Sequence, residues 1–474
     1  MIGEKRGEPE RRAIRVTEEK KGKRIFGTNG VRGVVGEDMT PELVLGIGAA
    51  LGSMRRGRIA VGRDTRTSGP ALASALRAGI LATGCDVVDL GVLPTPALQF
   101  IVRDGFAAGA MVTASHNPPE YNGVKVIDTD GTEMGDDQAI QLEDRLFARR
   151  FELAPWDRVG RQVTAPDRVE DYLSAVAGRF PPGTGGGLTV VVDPGSGAGC
   201  RTTPEILTRM GCRVHTLNAI EDGTFPNRAP EPSAEGLAPL AQMVVATHAA
   251  LGLAHDGDAD RTVFIDEKGG FLEENREFGL VARSMCAERR GVVVAPVSTS
   301  LVVGEVAEKL GCTIDYTAVG SIYVARRMMQ LIAKGTPVVM GGEGNGGLIY
   351  PAHQFCRDGA MTAATVVSIV ARAGKPLSEL ADSLPRYSMI KEKIRTGDAR
   401  ALVRDLTRRY EGEKPDLTDG MRLNREGSWA LVRPSGTEPL VRITVESRKE
   451  GEARDLLAEI RDAIGASPAG VGPR

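Results

Sequence analysis

Three stretches of the chain repeat one order of apolar and polar positions. Each runs from an apolar stretch of strand length through a helical stretch to Gly-Cys and a second β-rich run. The first is "RIAVGRDTR…ALRAGILATGCDVVDLG", the second "LTVVVDPGSGAG…EILTRMGCRVHTLN", the third "GVVVAPVSTS…VAEKLGCTIDYTAVG". The pairs are Gly84-Cys85, Gly211-Cys212 and Gly311-Cys312. A glycine there suits the residue just past a helix end, and the β-rich run after it predicts the next strand. Units of roughly 100–130 residues are too long for solenoid repeats. The pattern predicts three similar α/β domains, with the cysteines as small buried strand residues.

Each Gly-Cys strand is followed by another apolar run that ends in an unusual loop. "GAMVTASHNP" leads to Ser115, "ALGLAHDGDADR" to Asp256, Asp258 and Asp260, and "TPVVMGGEGNGG" to Glu343 and Asn345. Ligands of α/β sheets bind outside the carboxyl ends of strands. Three equivalent loops are therefore expected to converge on one cleft. The C-terminal part breaks the pattern. "WALVRPSGTEPLVRITVES" reads as strand, loop, strand, and "EGEARDLLAEIRDAIG" as an amphipathic helix, so a smaller α+β domain is expected from "KPLSELADSLPRY" onward. The expected bounds are a disordered charged tail at 1–23, α/β domains at 24–156, 157–268 and 269–374, an α+β domain at 375–467 and a flexible end at 468–474.

Length and composition agree with this division. A chain of 474 residues with 41% apolar content can fill several ordinary cores. A formal net charge of −2 points to neither nucleic acid nor a membrane surface. No apolar run reaches membrane-spanning length and no signal peptide opens the sequence, so a cytoplasmic protein is expected. Six cysteines without CxxC or zinc-like spacing are expected to be reduced thiols.

The loops carry the chemistry. In "HDGDADR" carboxylates fall at i, i+2 and i+4, and on an extended chain they would project to one side. Three crowded carboxylates resist ionisation unless a cation neutralises them, and an all-oxygen set suits Mg²⁺. A polar turn of solvated aspartates is the plainer alternative. Ser115 lacks the GxSxG elbow of a hydrolase. As a phosphate carrier it would need a metal, cationic donors and an acid/base nearby, and the Asp triplet, Lys125 and His116 could supply them. "RPSGTEP" offers Arg433, Ser435, Gly436 and Thr437 as a cradle for a phosphate monoester; a plain hairpin loop is the alternative. Arg32 in "FGTNGVRG" and Arg261 after the triplet are further basic candidates, each with a surface ion pair as the simpler role.

Together "FGTNGVRG", "TASHNP", "DGDADR", "GGEGNGG" and "RPSGTEP" resemble, in order, the motifs of the α-D-phosphohexomutases. The resemblance runs from about Ile25 to Gly465. It implies three similar mixed α/β domains and a C-terminal TATA-box-binding-protein-like α+β domain around one central cleft. It implies that Ser115 is the phosphorylated serine and, with Asp256, Asp258 and Asp260, a ligand of Mg²⁺. His116, Lys125 and Arg32 would be catalytic, with Lys125 a general acid or base whose pKa nearby cations lower. Arg261, Glu343, Asn345, Arg433, Ser435, Gly436 and Thr437 would bind substrate. Asn345 and Gly347 stand where bacterial members often carry Ser and His, and Ala259 where Gly is commonest. "FGTNGVRG" and "GEGNGG" are similar to archaeal phosphoglucosamine mutases. The implied reaction interconverts glucosamine 6-phosphate and glucosamine 1-phosphate through a 1,6-bisphosphate. Phosphomannomutase or phosphoglucomutase activity by the same mechanism is the alternative, and a phosphatase or a non-catalytic sugar-phosphate sensor are rivals of another class. The expected partners are a hexose or hexosamine phosphate and a bisphosphate, with no nucleic acid and no membrane.

Overall fold

The computed structural model describes residues 25–27, 30–435 and 439–467. The tails expected at 1–23 and 468–474 lie outside the described residues, as do Gly436 and Thr437.

The first unit contains β1 (Val31–Val34), α1 (Pro41–Met54), β2 (Arg58–Arg63), α2 (Gly69–Ala82), β3 (Asp86–Val92), α3 (Thr95–Val102), β4 (Ala108–Val112), β5 (Tyr121–Ile127), α4 (Asp136–Phe147) and β6 (Gln162–Thr164). The second contains α5 (Val169–Ala177), β7 (Thr189–Asp193), α6 (Thr203–Arg209), β8 (Arg213–Thr216), α7 (Ala238–Ala246), β9 (Leu251–His255), β10 (Thr262–Asp266) and β11 (Phe271–Leu272). The third contains α8 (Glu274–Glu288), β12 (Val292–Pro296), α9 (Leu301–Lys309), β13 (Thr313–Thr317), α10 (Ser321–Ala333), β14 (Val338–Glu343), β15 (Gly347–Ile349), α11 (Gly359–Ala373) and α12 (Leu377–Asp382). The last contains β16 (Ser388–Arg395), α13 (Ala399–Arg409), β17 (Met421–Arg425), β18 (Ser428–Pro434), β19 (Leu440–Ser447) and α14 (Glu450–Gly465).

The sheets run β1-β5-β4-β2-β3-β6, β11-β10-β9-β7-β8, β13-β12-β14-β15 and β16-β19-β18-β17. The threefold repeat is visible in the pairing. β2 lies parallel between β3 and β4, β7 between β8 and β9, and β12 between β13 and β14. In each unit an antiparallel strand then folds back on the last of the three: β5 on β4, β10 on β9, β15 on β14. The loops that carry Ser115, the Asp triplet and Asn345 are the three equivalent reversals. Gly84, Gly211 and Gly311 sit at φ of 83°, 92° and 73°, the left-handed conformation that lets a helix end turn straight into a strand.

Every residue of β4, β9 and β14 is buried. Strands covered on both faces read as near-continuous apolar runs, and these three do up to His255 and Glu343, which end β9 and β14. One core is continuous across the first three units, joining Leu98 and Ile101 of α3, Tyr172 of α5, Phe278 and Val281 of α8, and Val366 of α11. This fused core gives the three loops a common rigid base. The fourth unit has its own core between its sheet and α13 and α14. It docks on the third through Val297, Trp429 and Leu431. Arg422 adds to that contact by donating to the Val297 carbonyl at 2.7 Å.

The junction expected at 375 needs correcting. Leu377, Leu380, Ala381 and Leu384 pack in the same core as α8, so α12 closes the third unit and the last sheet begins at Ser388. Polar spacing marked a break in the sequence, but the apolar face of this short helix belongs to what precedes it. No described helix is long and apolar enough to cross a membrane.

Candidate active site

The Ser115 loop is held in a conformation that serine does not prefer. Ser115 has φ 53°, a left-handed geometry that costs about 1–3 kcal/mol for a non-glycine residue. Buried Arg66 stabilises the loop by donating to the carbonyls of Ser115 (2.9 Å), Asn117 (2.6 Å), Pro118 (2.6 Å) and Tyr121 (2.9 Å). Asp64 anchors Arg66 Nε at 3.1 Å and accepts from Thr113 Oγ1 at 2.6 Å. Thr113 Oγ1 in turn accepts from the Ser115 amide at 2.9 Å. The outcome is a serine hydroxyl aimed at the second unit: Ser115 Oγ donates to Asp256 Oδ2 at 2.9 Å. The two loops touch backbone to backbone, since a Cβ on Gly257 would lie 2.5 Å from the Ser115 carbonyl oxygen.

Asp256, Asp258 and Asp260 converge, but not by strand alternation. They occupy a turn between β9 and β10 in which Ala259 has φ 55°. This turn brings one ligand atom of each to within 4.8 Å of the others, all three residues being buried. Two of the carboxylates are each clamped through one oxygen. Asp258 Oδ2 accepts from Thr95 Oγ1 (2.5 Å) and Lys125 Nζ (2.6 Å), and Asp260 Oδ2 from Arg357 Nη2 (2.6 Å) and Lys125 Nζ (3.1 Å). Oδ1 of Asp258 and Oδ1 of Asp260 are buried without a hydrogen-bond partner. Burial, opposed by Arg261 and reinforced by Asp260 and Asp258, pushes the Asp256 carboxyl up to about 7. Buried acceptors with no donor and a carboxyl that resists ionisation are what a hard divalent cation would satisfy, so the donor set fits one.

Cations surround this cluster. Burial disfavours the Lys125 ammonium, but Asp258 and Asp260 outweigh it and hold its pKa above the ordinary lysine value. This reverses the expectation of a lowered pKa: the groups in contact with Lys125 are carboxylates. Arg261 Nε pairs with Asp256 Oδ2 at 3.1 Å, and its Nη1 and Nη2 grip Glu231 at 2.9 and 3.2 Å. Arg32, on β1, donates to Asn117 Oδ1 at 2.9 Å. His116 Nδ1 lies 3.3 Å from Ser115 Oγ. Burial and then Arg261, against Glu231, push the His116 pKa down to about 4, which leaves a neutral imidazole near pH 7.

The third loop also reaches the cluster. Glu343 ends β14, and its Oε2 accepts from Arg357 Nη1 at 3.2 Å. Asn345 folds its side chain into the loop, where Oδ1 accepts from the Gly347 amide at 3.2 Å. Thus Ser115, His116, Lys125, the Asp triplet, Arg261 and Glu343 are linked directly or through one shared partner, and Arg32 reaches the serine loop through Asn117. Arg433 is placed otherwise. It pairs with Asp419 at 2.9 Å, and Asp419 also accepts from the Val319 amide, so it sits where the fourth unit meets the third. Ser435 begins the loop, with its amide donating to the Leu440 carbonyl at 2.9 Å.

Sequence reasoning missed Arg357, Arg66, Thr95 and Glu231. The "GRDTR" loop after the central strand β2 was a usable signal for Arg66, because the carboxyl end of that strand faces the same cleft. Arg357, Thr95 and Glu231 carry no local signal.

The comparisons with known proteins agree with this fold. Four family descriptions match in chain order: phosphoglucomutase/phosphomannomutase alpha/beta/alpha domain I at residues 23–153, domain II at 170–270, domain III at 273–387 and the C-terminal domain at 389–463. A phosphoglucomutase/phosphomannomutase of Thermococcus kodakarensis is 42% identical over 92% of this chain and 97% of its own. A probable phosphoglucosamine mutase of Methanopyrus kandleri is 41% identical over 93% and 98%. A phosphoglucomutase/phosphomannomutase family protein of Burkholderia thailandensis superposes with a TM-score of 0.85 at 27% identity, covering 94% of this chain and 98% of that one. The class defined by this fold is that of the intramolecular phosphotransferases, isomerases that move a phosphoryl group within a sugar. The chain belongs to the phosphoglucomutase/phosphomannomutase family of the α-D-phosphohexomutase superfamily.

Proposed function

We infer that the chain interconverts glucosamine 6-phosphate and glucosamine 1-phosphate in the cytoplasm, through a phosphoserine at Ser115 and a 1,6-bisphosphate intermediate. The observation that carries this reading is the Ser115 hydroxyl 2.9 Å from Asp256, beside two buried carboxylate oxygens that lack donors. Asp256, Asp258 and Asp260, with the serine phosphate, would hold Mg²⁺. Bound there, the ion would supply charge neutralisation for phosphoryl oxygens.

In the forward direction the Oγ–P bond of phosphorylated Ser115 breaks as the free sugar hydroxyl bonds to phosphorus. The hydroxyl proton leaves, and His116, whose Nδ1 lies 3.3 Å from Ser115 Oγ, is the neighbouring imidazole that would take it. Lys125, held as an ammonium, serves the acid side and with Arg32 and Arg261 stabilises charge on the transferring oxygens. The bisphosphate turns within the cleft and returns its other phosphate to Ser115. Glu343 accepts hydrogen bonds from sugar hydroxyls in both orientations, with Asn345 beside it. Arg433, Ser435, Gly436 and Thr437 hold the phosphate that is not reacting. The docked but separately cored fourth unit suits a part that opens and closes over the cleft.

The relatives named probable phosphoglucosamine mutase, from Methanopyrus kandleri among others, support glucosamine phosphate. The Thermococcus kodakarensis name supports the second reading, mannose or glucose phosphates by the same chemistry. A coupled assay of the purified protein on glucosamine, mannose and glucose 6-phosphates separates them. The account predicts the highest kcat/KM on glucosamine 6-phosphate, with the 1-phosphate formed and no free phosphate. Release of free phosphate in place of the isomer would show a phosphatase instead.

A further inference from the structure

Arg357 lies outside every motif that points to the site, yet two of the site's loops meet through it. It is buried, and its fork spans units: Nη2 donates to Asp260 Oδ2 at 2.6 Å and Nη1 to Glu343 Oε2 at 3.2 Å. Asp260 belongs to the loop of the second unit and Glu343 to the end of β14 in the third. A planar guanidinium holds two carboxylates at angles set by its rigid fork, whereas the donors of a lysine ammonium rotate and fix no such angle.

The surroundings are shaped around this side chain. A Cβ on Gly347 would lie 2.3 Å from Arg357 Cδ, so the arginine stem runs through space that any side chain at 347 would fill. The next residue, Asp358, is fixed from three directions. It accepts from Tyr172 Oη (2.6 Å) and Gln354 Nε2 (2.8 Å), and it caps α11 by accepting from the Met361 amide (2.9 Å). A Cβ on Gly359 would lie 2.7 Å from the Ala259 carbonyl oxygen, so the start of α11 presses directly on the turn that carries the aspartates.

The geometry points to Arg357 as a positioning residue for phosphoryl transfer. By holding Asp260 through Oδ2 it leaves Oδ1 aimed at the metal position, and by holding Glu343 it sets the sugar at a fixed offset from Ser115. This rests on reading the site as that of a sugar-phosphate mutase.

Two variants that keep the positive charge test it. Arg357→Lys keeps one contact and loses the bridge, and Gly347→Ala displaces the Arg357 stem. Because the charge stays, a weaker metal site reports lost orientation. Mg²⁺ alone is titrated calorimetrically into the sugar-free enzyme, and KM is measured on whichever of glucosamine, mannose and glucose 6-phosphates the wild type turns over. Both variants are expected to bind Mg²⁺ about tenfold more weakly, the low end for loss of a group supporting a metal ligand, and to show a raised KM. Wild-type Mg²⁺ affinity in both variants, or wild-type KM in both, would overturn the proposal. Failure of glucosamine 6-phosphate as a substrate would count against the substrate reading only, since the Mg²⁺ titration and the other sugars still decide the role of Arg357.

Discussion

Replacing Gly257 by alanine tests whether the contact between the first two loops sets the position of Ser115. The added Cβ would lie 2.5 Å from the Ser115 carbonyl oxygen, and real Cβ contacts begin at about 3.0 Å. The backbones must therefore part by at least half an ångström. Gly257 does not have a positive φ, so the alanine meets a contact and not a forbidden conformation. Overpacking of this kind costs about 1–3 kcal/mol. Arg66 and Asp64 hold the Ser115 loop from the far side, so the strain is shared by the aspartate turn and the serine. A misplacement near 1 Å at a reacting centre costs about 100-fold in rate, and half of that distance predicts a loss of roughly 10-fold or more in kcat. KM should change little, because Glu343 and Arg433 lie on other units. Steady-state kinetics and thermal melts of Gly257→Ala, with Gly451→Ala as a control, provide the assay. A Cβ on Gly451 meets nothing within 4 Å. Wild-type kcat in Gly257→Ala would refute the claim that this contact positions the serine.

Two further outcomes follow from other parts of the molecule. On the proposed role of Arg433 as a phosphate anchor, Arg433→Ala would remove a charge-assisted contact of about 1.5–3 kcal/mol, so kcat/KM should fall about 10- to 100-fold and turnover should come to depend on added sugar 1,6-bisphosphate; unchanged kinetics would show that the phosphate anchor lies elsewhere. Burial pushes the His255 pKa down to about 4, and the buried ring meets Thr203 Oγ1 at 2.7 Å and the Arg261 carbonyl at 2.9 Å. A histidine whose folded pKa lies below the unfolded value of about 6.5 favours unfolding as the unfolded chain takes up its proton. Melting temperature should therefore fall as pH drops from about 6.5 to about 4. His255→Gln should flatten that slope, and an identical slope in the variant would exclude His255 as its source.

Local chemistry was readable from the sequence where the chain itself imposes it. Gly84, Gly211 and Gly311 end helices at positive φ, and β4, β9 and β14 are wholly buried, so the threefold repeat appears in the residue pattern. The Asp triplet was also readable as a cluster, although the cause of its convergence was not. Spacing alone suggested one face of a strand, whereas the turn at Ala259 gathers the carboxylates. Partners distant in sequence could not be read. Thr95 reaches Asp258 across 163 residues and Arg357 reaches Asp260 across 97, and nothing beside either residue announces the contact. The place of α12 was hidden for a related reason: which core its apolar face joins is a tertiary fact.

The central claim is that Ser115 carries the phosphoryl group. Intact-mass and peptide analysis of active enzyme, alongside Ser115→Ala, tests it most directly. The account predicts one phosphate, located on Ser115, and a Ser115→Ala protein that melts as the wild type does but has lost nearly all mutase turnover. Full turnover in Ser115→Ala, or active enzyme whose phosphate sits on another residue, would contradict it.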